Sequence, residues 1–305
     1  PIFLELQNEK DYTNIIPYYL FQIYYAKKEY DLVLKTGEEL LSTAPNNPNN
    51  KEIHRILGEC DYNRKDYANT IKYLSEYQKE SDQVVRENMY MLGDSYYQTM
   101  NYKKAIECFQ KVTVIDDAMT QNAYLFLGAC YIKENNKNNA RLCFQSASRM
   151  DYDSHIKEEA AYNYALVVYE QSYSPFNESI TAFETFLDNF PKSGYSDNVY
   201  SYMVNLYLTT KNYEEALASI ENIKEKNLQI YEARQRLLYS VGIKHFTEGN
   251  YNDAIKYFDK ALIDGKYNRT LEASTIFWRG EAYYKLKDYN LASQDFETFV
   301  NSVGA

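Results

Sequence analysis

The chain has few of the residues that break helices or build cross-links. Its 305 residues include only 10 Gly, 6 Pro and 4 Cys. A loop-rich β protein of this size would need more Gly and Pro, because tight turns depend on them. The cysteines also lack the C-x-x-C spacing of a structural zinc site. No stretch reaches the roughly 18 uncharged apolar residues that a membrane helix needs. We therefore expect an all-helical chain without a metal site and without membrane insertion.

Positive charge is also scarce. The chain has 33 Lys and Arg residues against 43 Asp and Glu residues, which gives a formal net charge of -10. A protein that binds nucleic acid through its phosphates normally presents a basic stripe, and none is visible in the sequence. Attachment to an anionic membrane surface is disfavoured for the same reason. The sequence thus predicts that the partner is not a nucleic acid.

The usual catalytic patterns are missing as well. The 3 histidines are widely separated, and no Ser-His-Asp, Cys-His, H-E-x-x-H, G-x-x-x-x-G-K or Rossmann pattern occurs at usable spacing. Leu-Gly pairs do occur, but each lies inside a helical stripe, so we interpret these glycines as packing residues rather than phosphate loops. We expect no enzyme activity and no cofactor.

The informative stretch is residues 87–112, ENMYMLGDSYYQTMNYKKAIECFQKV. Met89, Leu92 and Tyr96 form one apolar stripe at helical spacing, and a second stripe follows on Ala105, Phe109 and Val112. The small residues Gly93 and Ala105 let two helix axes approach closely. One such hairpin cannot bury both of its faces, so the unit is expected to stack on copies of itself.

The same spacing recurs along the whole chain. With the Leu of the Leu-Gly pair numbered seventh, the units begin near Asn14, Lys51, Arg86, Gln121, Glu158, Asp197, Gln235 and Ala273. The repeated L-G-x-x-Y and A-x-x-x-F patterns resemble the tetratricopeptide repeat. The resemblance implies an all-α fold, a right-handed α-α superhelical solenoid of about eight helix-turn-helix repeats. We interpret residues 1–305 as a single array and expect it to be a fragment of a longer one, because no polar capping helix follows the eighth unit.

Two units depart from the pattern. In the first unit Phe21 replaces the small residue and Gly37 replaces the late aromatic residue, so its match is weak. The fifth unit carries two extra residues, and we expect a longer loop at Tyr173 to Phe176.

A narrower resemblance lies at residues 186–195, FLDNFPKSGY, followed by Val199 and Tyr200. This run is similar to the repeat subclass of bacterial cell-envelope proteins such as the barrel-assembly lipoprotein and the Tol-Pal coordinator. It implies a bacterial protein of the periplasm or cell envelope rather than the cytoplasm, with a role in envelope assembly. The same subclass also occurs in other soluble bacterial scaffolds, so the compartment stays open.

The resemblance also implies that the first helices line the concave side of the array. Positions two, five, nine and twelve of a unit share one face of its first helix. The aromatic candidates for partner binding on that face are Tyr18, Tyr25, Tyr62, Tyr90, Tyr97, Tyr162, Tyr169, Tyr239, Phe246 and Tyr284. The acidic candidates, which form a ridge on the second and third units, are Glu52, Glu59, Glu87 and Asp94.

Two interpretations of this face remain. The rings either pack between neighbouring units, or they anchor a segment of another protein, with the acidic ridge favouring a basic one. We predict a non-enzymatic protein-protein interaction scaffold. Glycan binding is an alternative, because tyrosine faces also stack on sugar rings. Self-association, in which the terminal faces of two arrays stack end to end, is another.

Overall fold

The computed structural model describes residues 15–81, 83, 85–171, 175–209, 212–223 and 226–302, without the side chains of 175–177. Asn14, the predicted start of the first repeat, lies outside these described residues. So does part of the loop predicted at Tyr173 to Phe176.

Sixteen α-helices and no strand occupy the described ranges. In chain order they are α1 Ile16–Ala26, α2 Tyr30–Thr43, α3 Asn50–Asn63, α4 Tyr67–Glu80, α5 Arg86–Gln98, α6 Tyr102–Val112, α7 Ala118–Lys133, α8 Lys137–Arg149, α9 Ser154–Gln171, α10 Pro175–Asn189, α11 Ser196–Thr209, α12 Tyr213–Asn222, α13 Leu228–Thr247, α14 Tyr251–Ile263, α15 Arg269–Lys285 and α16 Tyr289–Val300. They form eight successive helix pairs, one for each predicted repeat. No described helix combines the length and the apolar composition that crossing a bilayer requires.

The chain divides into two compact units, residues 1–164 and residues 165–305. Within each unit the helices pack against their neighbours in sequence, as α3 packs on α4 and α13 packs on α14. Consecutive first helices also touch, as α3 touches α5 in the first unit and α11 touches α13 in the second. This all-α stacking of helical hairpins confirms the predicted fold class.

The turn between the two helices of a repeat has a recurring structure. In the six repeats for which the structure describes this turn, the position-fifteen residue has a positive φ, between 55° at Asn135 and 81° at Gly249. The residue after it is often Asp or Asn, and its side chain caps the second helix: Asp66 accepts a hydrogen bond from the Asn69 backbone N–H at 3.1 Å. The left-handed residue reverses the chain, and the cap satisfies a free helical N–H group.

The glycines at position eight are packing residues, as predicted. A Cβ placed on Gly93 would lie 2.9 Å from Cδ1 of Phe109, and one placed on Gly242 would lie 2.5 Å from Cε1 of Phe258. Each glycine therefore makes room for the residue at position twenty-four of its own repeat, which is Phe109 or Phe258 in these two repeats and Leu74 opposite Gly58. A larger residue would push the two helices apart.

Side chains at position one form hydrogen bonds with the end of the second helix of the same repeat and with the loop that follows it. The guanidinium of Arg86 donates from Nε to the Val112 carbonyl at 2.7 Å and from Nη1 to Asp117 at 2.6 Å. In the next repeat Gln121 makes an equivalent link, since its Nε2 donates to the Met150 carbonyl at 2.8 Å. These bonds satisfy carbonyl groups at or just beyond the ends of α6 and α8.

Candidate functional site

The candidate surface consists of the side chains at positions two, five, nine and twelve of the first helices, and we call it the first-helix surface. In residues 1–164 it is carried by α1, α3, α5, α7 and the start of α9. In residues 165–305 it is carried by the end of α9 and by α11, α13 and α15. The predicted aromatic residues on it are half-buried, except for the exposed Tyr284.

Tyrosine-carboxylate hydrogen bonds join the first three repeats at this surface. The hydroxyl of Tyr25, at position twelve of the first repeat, donates to Glu59, at position nine of the second. The hydroxyl of Tyr62 donates in the same way to Oδ2 of Asp94 in the third repeat, at 2.8 Å. Glu59 and Asp94 are only 8% exposed. The structure therefore places two of the four acidic candidates beneath the surface as hydrogen-bond acceptors.

Later repeats hold the position-twelve ring with an aromatic side chain instead. The ring of Tyr97 packs edge-on to Phe126, with 5.2 Å between the centroids. In the second unit Phe246 packs against Trp278 at 5.1 Å. Phe126 and Trp278 both occupy position six of the following repeat. Sequence reasoning missed this position, although the aromatic residues Phe126, Tyr202 and Trp278 at equivalent places were a usable signal.

The position-twelve ring is also held from its own repeat. Tyr97 lies at 5.8 Å from Tyr102, and Tyr284 lies at 5.6 Å from Tyr289, both in edge-to-face geometry. The second ring of each pair is the first residue of the second helix. Tyr97 is therefore held from two sides, by Phe126 and by Tyr102, and these contacts fix the orientation of its ring.

Position-five rings turn toward the second helix of their own repeat. Tyr90 packs on Phe109 at 5.8 Å, and Tyr239 packs on Phe258 at 6.3 Å. Tyr18 accepts a hydrogen bond from Nε2 of Gln22 at 3.0 Å. Tyr162 and Tyr169 are half-buried on α9, and Tyr169 packs on Tyr202 at 5.2 Å. The rings of Tyr90 and Tyr239 therefore pack within their own repeats, and the position-twelve ring of Tyr169 packs on the next repeat.

The two remaining acidic candidates differ in their surroundings. Glu52 pairs with Arg55, whose Nε lies 2.9 Å from Oε2 of Glu52 and whose Nη1 lies 2.5 Å from Oε1 of Glu59. Arg55 thus offsets part of the negative charge of the ridge. Glu87 is exposed in the first turn of α5.

Burial and these carboxylates change the acidity of the tyrosines. Burial raises the pKa of Tyr25 to about 12, and the hydrogen bond to Glu59 adds to the effect. Burial likewise raises the pKa of Tyr90 to about 12, with a contribution from Asp94. The pKa of Tyr62 is raised by burial and by its bond to Asp94. All three hydroxyls therefore remain protonated donors at neutral pH.

The cysteines contribute nothing to this surface. Cys60, Cys108, Cys130 and Cys143 are free and buried, and burial raises the pKa of each thiol above its ordinary value. No group of three or more potential metal ligands occurs among the residues that the structure describes.

Stacked helical hairpins, joined through a small residue and an aromatic residue at fixed positions, define an α-α repeat array. The chain contains tetratricopeptide repeats. A sequence profile described as tetratricopeptide repeat matches residues 87–118 and 121–154. These are the third and fourth repeats, where the sequence pattern is among the clearest. No curated protein sequence matches the chain.

Solved structures of tetratricopeptide proteins resemble the fold. YrrB, described as a TPR protein with an unusual peptide-binding site, aligns with a TM-score of 0.51 and 14% identity, covering 65% of this chain and 97% of its own. A tetratricopeptide repeat protein from Parabacteroides merdae aligns with a TM-score of 0.43 and 15% identity, covering 91% of this chain and 97% of its own. Tetratricopeptide folds generally support protein-protein interaction, and proteins of this kind are typically non-enzymatic scaffolds.

Proposed function

We propose that the chain is a non-enzymatic scaffold that binds a segment of another protein on its first-helix surface. The observation that carries this proposal is the bonding of surface tyrosines across repeat boundaries, from Tyr25 to Glu59 and from Tyr62 to Asp94. These bonds hold half-exposed rings at fixed positions on neighbouring repeats. A partner segment that contacts such rings does not have to order them first, so less of the binding free energy is lost.

The energetics of such a surface are favourable for a short segment. A well-packed aromatic anchor contributes about 2 kcal/mol or more to binding. Three or four anchors on successive repeats together contribute about 6–8 kcal/mol or more, and micromolar binding corresponds to about 8 kcal/mol, so the other contacts of the segment must offset the ordering cost.

We propose that the partner segment is basic where it meets the third repeat. Glu87 is exposed there, whereas Glu59 and Asp94 are occupied by tyrosine hydroxyls and Glu52 is paired with Arg55. Charges at the rim of an interface mainly change the association rate. We therefore expect the preference for a basic segment to appear mainly in the association rate and in its salt dependence.

We further propose a place in bacterial envelope assembly, in the periplasm or cell envelope. This part rests on the resemblance of residues 186–195 to the envelope repeat subclass. Fractionation of the source cells, followed by immunodetection of the chain, tests it directly. Recovery in the cytoplasmic fraction alone would exclude the envelope role.

The binding proposal is tested by site-specific photo-crosslinking in the source cells. A photoreactive residue at Glu87 samples the first-helix surface, and one at Glu107 samples an exposed place on the second helix of the same repeat. We expect a protein adduct at Glu87 and none at Glu107. Equal adducts at both positions, or an adduct at Glu107 alone, would move the binding site off the first-helix surface.

The crosslinked segment then distinguishes the alternatives. We expect a synthetic peptide of that segment to bind the purified chain, with a slower association rate for Glu87→Gln. Competition by soluble oligosaccharide instead of peptide would favour glycan binding. An adduct with a second copy of the chain, together with concentration-dependent sedimentation, would favour self-association.

A further inference from the structure

An exposed apolar patch lies in the first unit, outside the first-helix surface. It consists of Val114 and Ile115, which follow α6, and Tyr152, which follows α8, and we call it the loop patch. Their exposed fractions are 70%, 56% and 52%. Contiguous apolar residues on a protein surface mark interaction sites, whereas isolated ones are ordinary. The loop patch is therefore a candidate contact surface.

Packing within the repeats does not require these residues to be apolar. Val114 occupies position twenty-nine of the third repeat, where the second repeat has Lys79 and the fourth repeat has Arg149. Both of those charged side chains are exposed as well. The position thus faces solvent in three successive repeats, and the core gains nothing from an aliphatic residue there.

Hydrogen bonds hold the loops that carry the patch. The Val114 backbone N–H donates at 2.9 Å to the carbonyl two residues before it. The Thr120 hydroxyl donates to the Ile115 carbonyl. The Tyr152 hydroxyl donates to the Asp116 carbonyl at 2.7 Å and so joins the connection after α8 to the connection after α6. The patch is ordered before a partner arrives, and this lowers the cost of binding.

The charge beside the patch is negative. Asp116 is exposed, and Asp117 follows it as the N-terminal cap of α7. Partial desolvation raises the pKa of the Tyr152 hydroxyl, and the charges of these two carboxylates raise it further. Asp117 is already paired with Arg86, whose Nη1 lies 2.6 Å from its Oδ2. Asp116 is therefore the carboxylate that an incoming cation can reach.

We propose that the loop patch receives an aromatic or large aliphatic side chain of a partner protein, next to a lysine or arginine that meets Asp116. The two aliphatic side chains and the Tyr152 ring suit the apolar residue, since aromatic rings supply large contact areas. Exposed ion pairs contribute little, so the basic residue sets the preference rather than the bulk of the affinity. A nucleic acid fits less well, because its phosphates carry the same charge as Asp116.

The test uses short peptides that separate the ring from the charge. Acetyl-Trp-Lys-Lys-amide carries both, acetyl-Trp-Gln-Gln-amide lacks the cations, and acetyl-Gly-Lys-Lys-amide lacks the ring. Binding to the full chain is followed by NMR through the labelled methyl groups of Val114 and Ile115. We expect the first peptide to shift these signals and to bind about threefold more tightly than the second and at least about tenfold more tightly than the third.

Variants connect the two preferences to the patch. Asp116→Asn should remove the preference for lysine over glutamine, whereas Glu134→Gln, at an exposed position after α7, should keep it. Val114→Ser should weaken the binding of both tryptophan peptides, followed through the Ile115 methyl group. Its matched control is Ile263→Ser, at the same position of the seventh repeat and 76% exposed, which should not. Circular dichroism verifies that each variant is folded.

Several results would overturn the proposal. Equal affinity for the lysine and glutamine peptides would show that Asp116 plays no part, and equal affinity for the tryptophan and glycine peptides would exclude the apolar contact. Tighter binding of acetyl-Trp-Glu-Glu-amide would indicate the exposed cations Lys111 and Arg149 instead. Methyl signals that change with protein concentration before peptide is added would show that a second copy of the chain covers the patch.

The loop patch and the first-helix surface can fail independently. Glu87→Gln, which changes the first-helix surface, should leave the binding of acetyl-Trp-Lys-Lys-amide at the loop patch unchanged. A loss of this binding in Glu87→Gln would place the peptide on the first-helix surface and overturn the loop-patch proposal.

Discussion

Gly37 lies directly against Phe21, with the two residues in exchanged roles. In the third repeat a glycine at position eight, Gly93, makes room for Phe109 at position twenty-four. In the first repeat Phe21 occupies position eight and Gly37 occupies position twenty-four. A Cβ on Gly37 would lie 2.8 Å from Cε2 of Phe21, and Phe21 is fully buried. The repeat that matches the sequence pattern poorly thus keeps the same packing contact.

This exchange predicts a non-additive pair of mutations. Gly37→Phe alone should destabilise the chain by about 1–3 kcal/mol or more, because the added ring enters a filled space. Phe21→Gly alone should cost about 3–5 kcal/mol through the cavity that it leaves. The double variant removes the contact with Phe21, although the new ring still meets Leu57, so its cost should be smaller than the sum of the two single costs. Urea unfolding, monitored by circular dichroism, gives the free energy of unfolding of each variant in this double-mutant cycle.

A glycine with open space around it provides the control for that cycle. A Cβ placed on Gly194 would meet nothing within 4 Å, so Gly194→Ala should change stability by no more than about 1 kcal/mol. Additive single and double costs at Phe21 and Gly37 would contradict the exchanged-role explanation.

The tyrosine-carboxylate bond predicts a difference between two conservative substitutions. Tyr62→Phe removes the donor to the buried Asp94 and should cost about 1–3 kcal/mol. Tyr97→Phe is the matched control, because Tyr97 meets Phe126 and Tyr102 through its ring, and its cost should stay within about 0.5 kcal/mol. Equal costs, measured by urea unfolding, would show that the bond to Asp94 contributes nothing specific.

The buried carboxyl group of Asp61 leads us to predict a substitution whose stabilising effect depends on pH. Its side chain is buried in α3, and burial together with the charge of Asp66 raises its pKa to about 6. A pKa that is raised in the folded state means that folding favours the neutral carboxyl group of Asp61. The contribution of this residue to stability is therefore fully present below about pH 4 and is lost as the pH rises through about 6. Asp61→Asn should therefore stabilise the chain by about 1–3 kcal/mol at pH 7.5 and change little at pH 4.

The measurement for Asp61 is urea unfolding of both proteins at the two pH values. Carboxyl ¹³C NMR should also give a pKa near 6 for this residue. A destabilised Asp61→Asn variant at pH 7.5, or an ordinary carboxyl pKa, would contradict the prediction.

For Asp117 we predict that the contribution to stability depends on pH in the opposite direction. The Arg86 guanidinium holds the pKa of Asp117 well below its ordinary range, with help from the Thr120 backbone N–H group. A lowered folded-state pKa gives stability that is present above about pH 4 and is lost as the pH falls further. Asp117→Asn should be less stable than the parent at pH 7, and the difference should shrink below pH 4. A difference that stays constant from pH 7 to pH 3 would exclude this linkage.

Much of the fold follows from the sequence because its determinants are local and repeated. The pairing of Leu92-Gly93 with Phe109 recurs at helical spacing, and it predicts both the hairpin and the role of the glycine. The Asp and Asn residues that cap the second helices can also be recognised in the sequence, because they follow the turn directly. The Phe21 and Gly37 exchange was harder to interpret, since each residue alone looks like a mismatch and only their contact explains both.

The candidate site was less predictable. The spacing placed Tyr25, Tyr62 and Tyr97 on equivalent faces of three first helices. It did not show that their partners are Glu59, Asp94 and Phe126. Those partners lie in the following repeat, where Glu59 and Asp94 occupy position nine and Phe126 occupies position six.

The sequence by itself determined the repeat, the helix pairs and the packing role of the glycines, because these depend on residues within one turn or one hairpin. The tertiary structure decided which carboxylates are buried beneath tyrosines and which ones stay exposed. Burial and hydrogen bonding between repeats depend on how neighbouring hairpins stack, and the spacing within a single repeat does not contain that information.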